Sequence, residues 1–397
     1  MRYRVRWSLR ATMVGVAATA VVLALALEPR RRRAEQERAI AAIRMLEGDV
    51  GARRGMCVLQ PDRRPVVAVC LNNPVVTDAD LAPLTWLTEL ESLDLSSTRI
   101  TDAGLARLRG LIHLDDLDLS STRITDAGLV HLRGMTGLRT LNLAGAPVVG
   151  PGPAHLKRLT SLQAIRLYGT RLTDADLVHV GALTGLDDVS LSGAITDAGL
   201  VHLKGLTQIT ELGLESCQVA GPGLESLNGL TKLRRLDLRS SRIDDAGLAH
   251  LRGLDSLEEL NLGETQATDL GLVHLGSLTK LRGLNLEASK IDGAGLTYLR
   301  GLTNLESLNL SDTKVAGPGL GHLRDLPHLK TLIINPAPVT DADLEFLKPM
   351  SQLKEVYLIF TEVTEAGRDE LRRALPEATV SWAAKPPPRV SEDGGED

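Results

Sequence analysis

The stretch from Leu90 to Leu111, LESLDLSSTRITDAGLARLRGL, recurs along most of the chain, and a repeat of this length limits the possible folds more than any other feature. Its first half, Leu90-x-x-Leu93-x-Leu95, alternates with period two around Leu93 and Leu95 and predicts a short strand with one face toward a core. Thr98 and Ile100 then turn the chain. The second half, Thr101-Asp102-Ala103-Gly104-Leu105-x-x-Leu108-x-x-Leu111, predicts a short helix with an N-cap oxygen at Thr-Asp and a buried leucine stripe. The last strand residue of each copy marks the period: Leu95, Leu119, Leu143, Leu167, Leu191, Leu214, Leu238, Leu262, Leu286, Leu310, Ile334 and Leu358. Every step is 24 residues except the 23 from Leu191 to Leu214. Counting back reaches Leu71, with Val66 and Val69 in the companion columns, as a thirteenth, atypical strand; counting forward reaches Trp382. No such unit buries its own apolar face, so the coils must stack and hold one another.

These repeats resemble leucine-rich repeats over residues 56–382. The resemblance implies an α/β fold: a curved solenoid of about 13 coils of 24 residues, with a parallel sheet on the concave side and short helices on the convex side. Bending toward the strands also follows from spacing, since strands pack about 4.8 Å apart and helices about 10 Å. Where many family members carry Asn, this chain has Thr98, Thr122, Thr170, Thr265, Thr313 and Thr361, with Cys217 and Ser241 between them. Hydroxyls that bond turn backbone would form a variant of the family's ladder. The ITDAGL stretch also resembles the cysteine-containing subtype found behind F-boxes in ubiquitin-ligase adaptors, although that subtype's regular cysteines are missing.

Charge divides the chain. Residues 1–55 hold 12 Arg against 5 acidic residues, while the whole chain carries −5, so the remainder is strongly acidic. Within the basic part, residues 11–27 have no charge and are flanked by Arg2, Arg4, Arg6 and Arg10 before and Arg30 to Arg33 after. A run of 17 residues barely spans a bilayer core, and Tyr3 and Trp7 sit where an interfacial belt would lie, which predicts an N-terminal transmembrane helix. The competing reading is a cleaved leader, since Ala24-Leu25-Ala26 fits a small-x-small site. Moving a four-Arg tail outward opposes the membrane potential, which favours a single-pass protein with its repeats outside the cytoplasm. The expected organisation is a basic tail (1–10), an anchor (11–27) and a juxtamembrane helix or linker (28–55) with Ile40, Ile43 and Leu46 at helical spacing, holding the solenoid clear of the lipid. The repeat domain (56–382) follows, with a hairpin cap at its start, and then a disordered Pro-rich and acidic tail (383–397). The order of Arg-flanked apolar segment, AIAAIRMLEG helix, hairpin and TDAGL repeats resembles bacterial membrane-anchored leucine-rich repeat proteins.

Several motifs read as structural. A turn at 61–64 does not place Cys57 and Cys70 opposite each other, so no disulfide is expected there, and Cys217 reads as a small core residue. His131, His155, His179, His202, His250, His274 and His322 share one column of the helical half; a ladder spread at least about 4.8 Å per step does not converge on a metal. Gly-Pro-Gly at 150–152, 221–223 and 317–319 replaces Thr-Asp without the GK[ST] of a phosphate loop. Pro153 and the deletion between Leu191 and Ile195 predict the least regular coils.

Function is then left to the concave face. Its side chains are mostly acidic, among them Asp188, Glu211, Glu215, Asp237 and Glu259, with Arg166, Arg235 and Arg239 as basic entries. Aromatics make up 2 % of the chain, so Tyr168 in the middle coils and Tyr357 and Phe360 near the C-terminal end stand out as interface residues. The sequence carries no nucleophile elbow, HExxH or dinucleotide fingerprint, and its acidic body repels phosphates, so neither an enzyme, a cofactor, a metal nor a nucleic-acid partner is expected. The reading is a non-catalytic, membrane-tethered scaffold that binds a protein or peptide, basic in character, at Arg166, Tyr168, Asp188, Glu211, Glu215, Asp237, Arg239, Glu259, Tyr357 and Phe360. The alternative is a substrate adaptor of F-box or effector type, against which residues 1–55 leave no room for an F-box.

Overall fold

The structure, a computed structural model, describes residues 31, 33–43, 56–57 and 67–384. The expected anchor at 11–27, the basic tail before it, the turn at 61–64 and the tail from 385 lie outside the described residues. Among the described residues no helix is long and apolar enough to cross a membrane.

One sheet of fifteen strands runs in strict chain order. Met56–Cys57 pairs antiparallel with Ala68–Leu71, and from there to Thr379–Ala384 neighbours are parallel. The register sets identical columns beside one another: Leu93 on Leu117 on Leu141, and Leu212 on Leu236 on Leu260. All six are buried, with the helical leucines such as Leu105 and Leu108, in one continuous core. The helical halves are short, one to three turns each, and many of them are 3-10, as in Gly128–Gly134 and Ala294–Gly301. Leucines three apart match three residues per turn.

Two polar ladders run along the array, the first within coils. The expected hydroxyl ladder forms: Thr98 donates to the Leu95 carbonyl at 2.7 Å, and Thr122, Thr170, Thr265, Thr313 and Thr361 repeat the bond. Cys217 is buried in the same column, which pushes its thiol up to about 12. The second ladder runs between coils. Asp102 accepts from the Thr125 N–H at 2.8 Å and the Thr125 hydroxyl at 2.6 Å, and Asp78, Asp174, Asp245 and Asp341 grip the next coil's Thr likewise. This explains the glycine of DAGL: a Cβ on Gly128 would lie 2.2 Å from Asp102 Oδ1. Where the preceding coil offers no such Asp, the coil carries its own carboxylate. Asp80, Asp176 and Asp343 bond the N–H of Thr77, Thr173 and Thr340, and Asp244 bonds that of Gly247 after the Gly221-Pro222-Gly223 coil.

Two expectations are corrected. Cys57 and Cys70 stand directly opposite in the antiparallel pair, which sets Met56 on Leu71 and Cys57 on Cys70. The helix over 33–43 buries Ala39 and Ile43 in the core, with Ile40 packed against it. The register passes unbroken through the Pro153 coil and the shortened coil at Leu191–Ile195, since loops absorb both changes. The described register shift lies instead at Ile359/Thr361, where the last pair lengthens under the helix Glu365–Ala374.

Candidate functional site on the concave face

Alternate residues of each short strand face the concave side, and one of these columns proves structural. At the last residue of the strand, Asp94, Asp118, Asn142, Asp237, Asn261, Asn285 and Asn309 each turn a carboxylate or amide oxygen onto the N–H two residues ahead, at 2.8–3.0 Å. These side-chain caps are Asx turns. The Asn amide groups reach sideways as well, Asn142 to Asp118 at 2.9 Å and Asn261 to Asp237 at 3.2 Å. Asp237, read from the sequence as a partner-binding acid, is thus engaged by the Arg239 N–H and by Asn261.

The ladder stops over three adjacent coils, where the same column holds Arg166, Ser190 and Gly213. A hollow of about 590 Å³ opens at this interruption and extends to Asn309. Six of the ten residues expected from sequence line it: Tyr168, Asp188, Glu211, Glu215, Asp237 and Glu259. Tyr168 stands at its edge with half its surface exposed. Small residues shape the floor. Glu259 lies across Gly283, whose Cβ would meet its carboxylate.

The four others fall elsewhere. Arg166 sits beside the rim with Nη2 3.5 Å from Asp188, and Arg239 binds Glu264 through two nitrogens, so both guanidinia are occupied. Tyr357 and Phe360 lie in the thirteenth coil, away from the hollow; Phe360 occupies the left-handed turn position, with φ of 60°, that Ser97 and Ser121 hold in earlier coils. Residues not singled out from sequence also line the hollow, notably Ser190, Gly213, Asn261, Asn285 and Asn309. A gap in the Asp/Asn column at 166, 190 and 213 is the signal that would have located them.

Burial raises Asp188 above the ordinary carboxylate range, with Arg166 opposing and Glu211 and Asp187 adding to the rise. Glu259 is raised by burial too, against Arg235 and Arg282. Glu211 pairs with Arg235, whereas Glu215 and Glu259 have no basic nitrogen within ion-pair distance among the described residues. The hollow therefore holds two carboxylates available to an incoming cation. On the convex side the histidines are half-buried in their column; Arg133 Nη2 is 2.6 Å from His155 Nδ1.

Leucine rich repeat family models match residues 88–147 and 231–291, and a second such model matches 301–323. Among solved structures, an internalin from Listeria monocytogenes aligns with a TM-score of 0.60 at 23 % identity, over 77 % of this chain and 89 % of that one. The leucine-rich repeat ectodomain of the Arabidopsis receptor kinase HAESA, in complex with an N-terminally extended IDA peptide hormone, aligns at 0.55 and 20 % identity, over 78 % of this chain and 56 % of that one. No curated protein matches the chain. With its strand column, its hydroxyl ladder and these matches in agreement, the chain carries leucine-rich repeats and has the leucine-rich repeat fold.

Proposed function

We propose that the chain is a non-catalytic recognition scaffold that binds a basic protein or peptide in the concave hollow between Tyr168 and Asn309. The observation that carries this reading is the meeting of Glu215 and Glu259, neither of them ion-paired, with half-exposed Tyr168 in one concavity. An aromatic with its edge in solvent supplies apolar contact, and the carboxylates supply attraction to a cation at long range. The same fold in the HAESA ectodomain is in complex with a peptide, which supports a peptide as the kind of partner such an array takes.

The test uses N-acetylated, C-amidated hexalysine and calorimetric titration of the full-length chain. Tyr168→Ala is expected to weaken binding by at least about 1 kcal/mol, and the pair Glu215→Gln and Glu259→Gln by more, while convex His250→Ala leaves it unchanged. Affinity should fall as salt rises. It should also fall with acidification, because cation binding needs ionised carboxylates. Glu259 is raised above its ordinary value of 4.5, so its loss begins at higher pH than for an exposed glutamate. Full affinity in Tyr168→Ala together with a loss in His250→Ala would move the site to the helical side and end this reading.

Tethering belongs to the same proposal. The uncharged run at 11–27 between arginine clusters supports a single-pass anchor with the repeats outside the cytoplasm. The expected result is that the full-length chain resists extraction by alkaline carbonate. Release into the wash, or a mature N-terminus at Leu27, would remove the anchor and leave the hollow untouched.

A further inference from the structure

The interruption of the concave ladder leaves main-chain donors open. From Ser96 to Ile359, the N–H two residues beyond the Asp/Asn column is capped in the coils on either side of the interruption: by Asp or Asn at Ser96, Ser120, Ala144, Arg239, Gly263, Glu287 and Ser311, by Ser311 at Asn335, and by Asn335 at Ile359. At Tyr168, Ser192 and Glu215 that N–H has no acceptor among the described residues, on side chain or backbone. The three lie in adjacent coils, because Ala164–Arg166, Asp188–Ser190 and Glu211–Gly213 are neighbouring parallel strands. In the capped coils this N–H is the one taken by a concave side chain, so in the three uncapped coils it is turned to the concave side, where Tyr168 and Glu215 line the hollow. Neighbouring strands space such donors about 4.8 Å apart.

We propose that the N–H groups of Tyr168, Ser192 and Glu215 form a main-chain docking row that donates to the peptide carbonyl oxygens of the basic segment bound in the hollow. This rests on the reading of the hollow given above. A backbone donor left without a partner loses free energy if a ligand covers it without accepting from it, so a segment lying here must present oxygens. Asp188, Glu211 and Glu215 surround the row with negative charge, which selects neutral carbonyls over a carboxylate or phosphate. The side chains of the segment then reach Glu215 and Glu259. Recognition is divided: carbonyls fix the path of the main chain, and acids choose a cationic sequence.

The row can be closed without touching Tyr168 or the acids of the site. Ser190→Asn and Gly213→Asn restore to two coils the residue that caps Gly263 and Ser311. A Cβ on Gly213 meets Ser190 Oγ at 3.4 Å, an ordinary contact, so the fold tolerates it. With capped hexalysine as the probe on the full-length chain, amide exchange at Tyr168, Ser192 and Glu215 is expected to slow on binding. The double Asn variant, with its melting temperature kept, is expected to bind at least about tenfold more weakly. Glu215→Gln and Glu259→Gln in the same titration separate the two ideas. Binding that depends on the acids but is unchanged in the double Asn variant, with no protection at the three amides, overturns the docking row and leaves the proposed function standing. Absence of hexalysine binding to the wild-type chain overturns both.

Discussion

Replacing Leu236 by alanine is expected to lower the stability of the purified protein by about 2 to 5 kcal/mol, the cost of a buried leucine left as a cavity. Leu236 is the middle residue of the strand Arg235–Asp237, is 2 % exposed and stands in register between Leu212 and Leu260. A stacked array gains its stability from neighbouring coils, so the loss extends beyond the coil that carries the substitution. Urea denaturation measures the total, and amide exchange at Leu212 and Leu260 shows its spread. A loss below about 1 kcal/mol would contradict the burial of this column, because surface substitutions stay near that limit.

What the sequence made legible was whatever repeats within one coil. The leucine columns and the Thr98 column could be read because each position recurs every 24 residues and its chemistry is local: an apolar face, or a hydroxyl bonding a carbonyl three residues back. Partners one coil away were not legible. Thr-Asp reads as an N-cap, yet the Asp102 carboxylate serves Thr125, 23 residues on. Arg166 and Arg239 read as free anchors, yet Asp188 and Glu264, 22 and 25 residues ahead, hold them. The concave acids fared the same way: Asp94, Asp118 and Asp237 cap their own turns, and what distinguishes the hollow is the loss of that column at Arg166, Ser190 and Gly213. An absence within a repeat is visible in sequence only once the column has a known duty. The cysteine pair shows the opposite limit, since the register of Cys57 on Cys70 depends on a connection whose geometry no repeat predicts.

The inter-coil Asp ladder yields the second large effect, and its origin can be isolated by a double-mutant cycle. Asp102→Ala removes the acceptor of the Thr125 N–H and hydroxyl, both part-buried, and is expected to cost about 1.5 to 3 kcal/mol, as for hydrogen bonds to a charged group. Gly128→Ala is expected to cost a similar amount for a reason that composition alone would not suggest. Its new methyl would stand 2.2 Å from Asp102 Oδ1 and 2.9 Å from Asp102 Cγ, so the carboxylate must leave Thr125 or the coils must part. Helix propensity argues the other way, since alanine is favoured over glycine by about 1 kcal/mol in a helical turn. The steric term decides, because it breaks two charge-assisted bonds. Once Asp102 is alanine, that clash is gone and Ile124 Cγ2 at 3.2 Å is the nearest remaining neighbour, so Gly128→Ala should become nearly neutral. The two changes together should therefore cost at least about 1 kcal/mol less than their sum, the coupling expected of groups in one network. Thermal or urea denaturation of the four proteins measures it. Additive losses would mean that the glycine column is set by backbone demands of its own coil and not by the aspartate of the coil before.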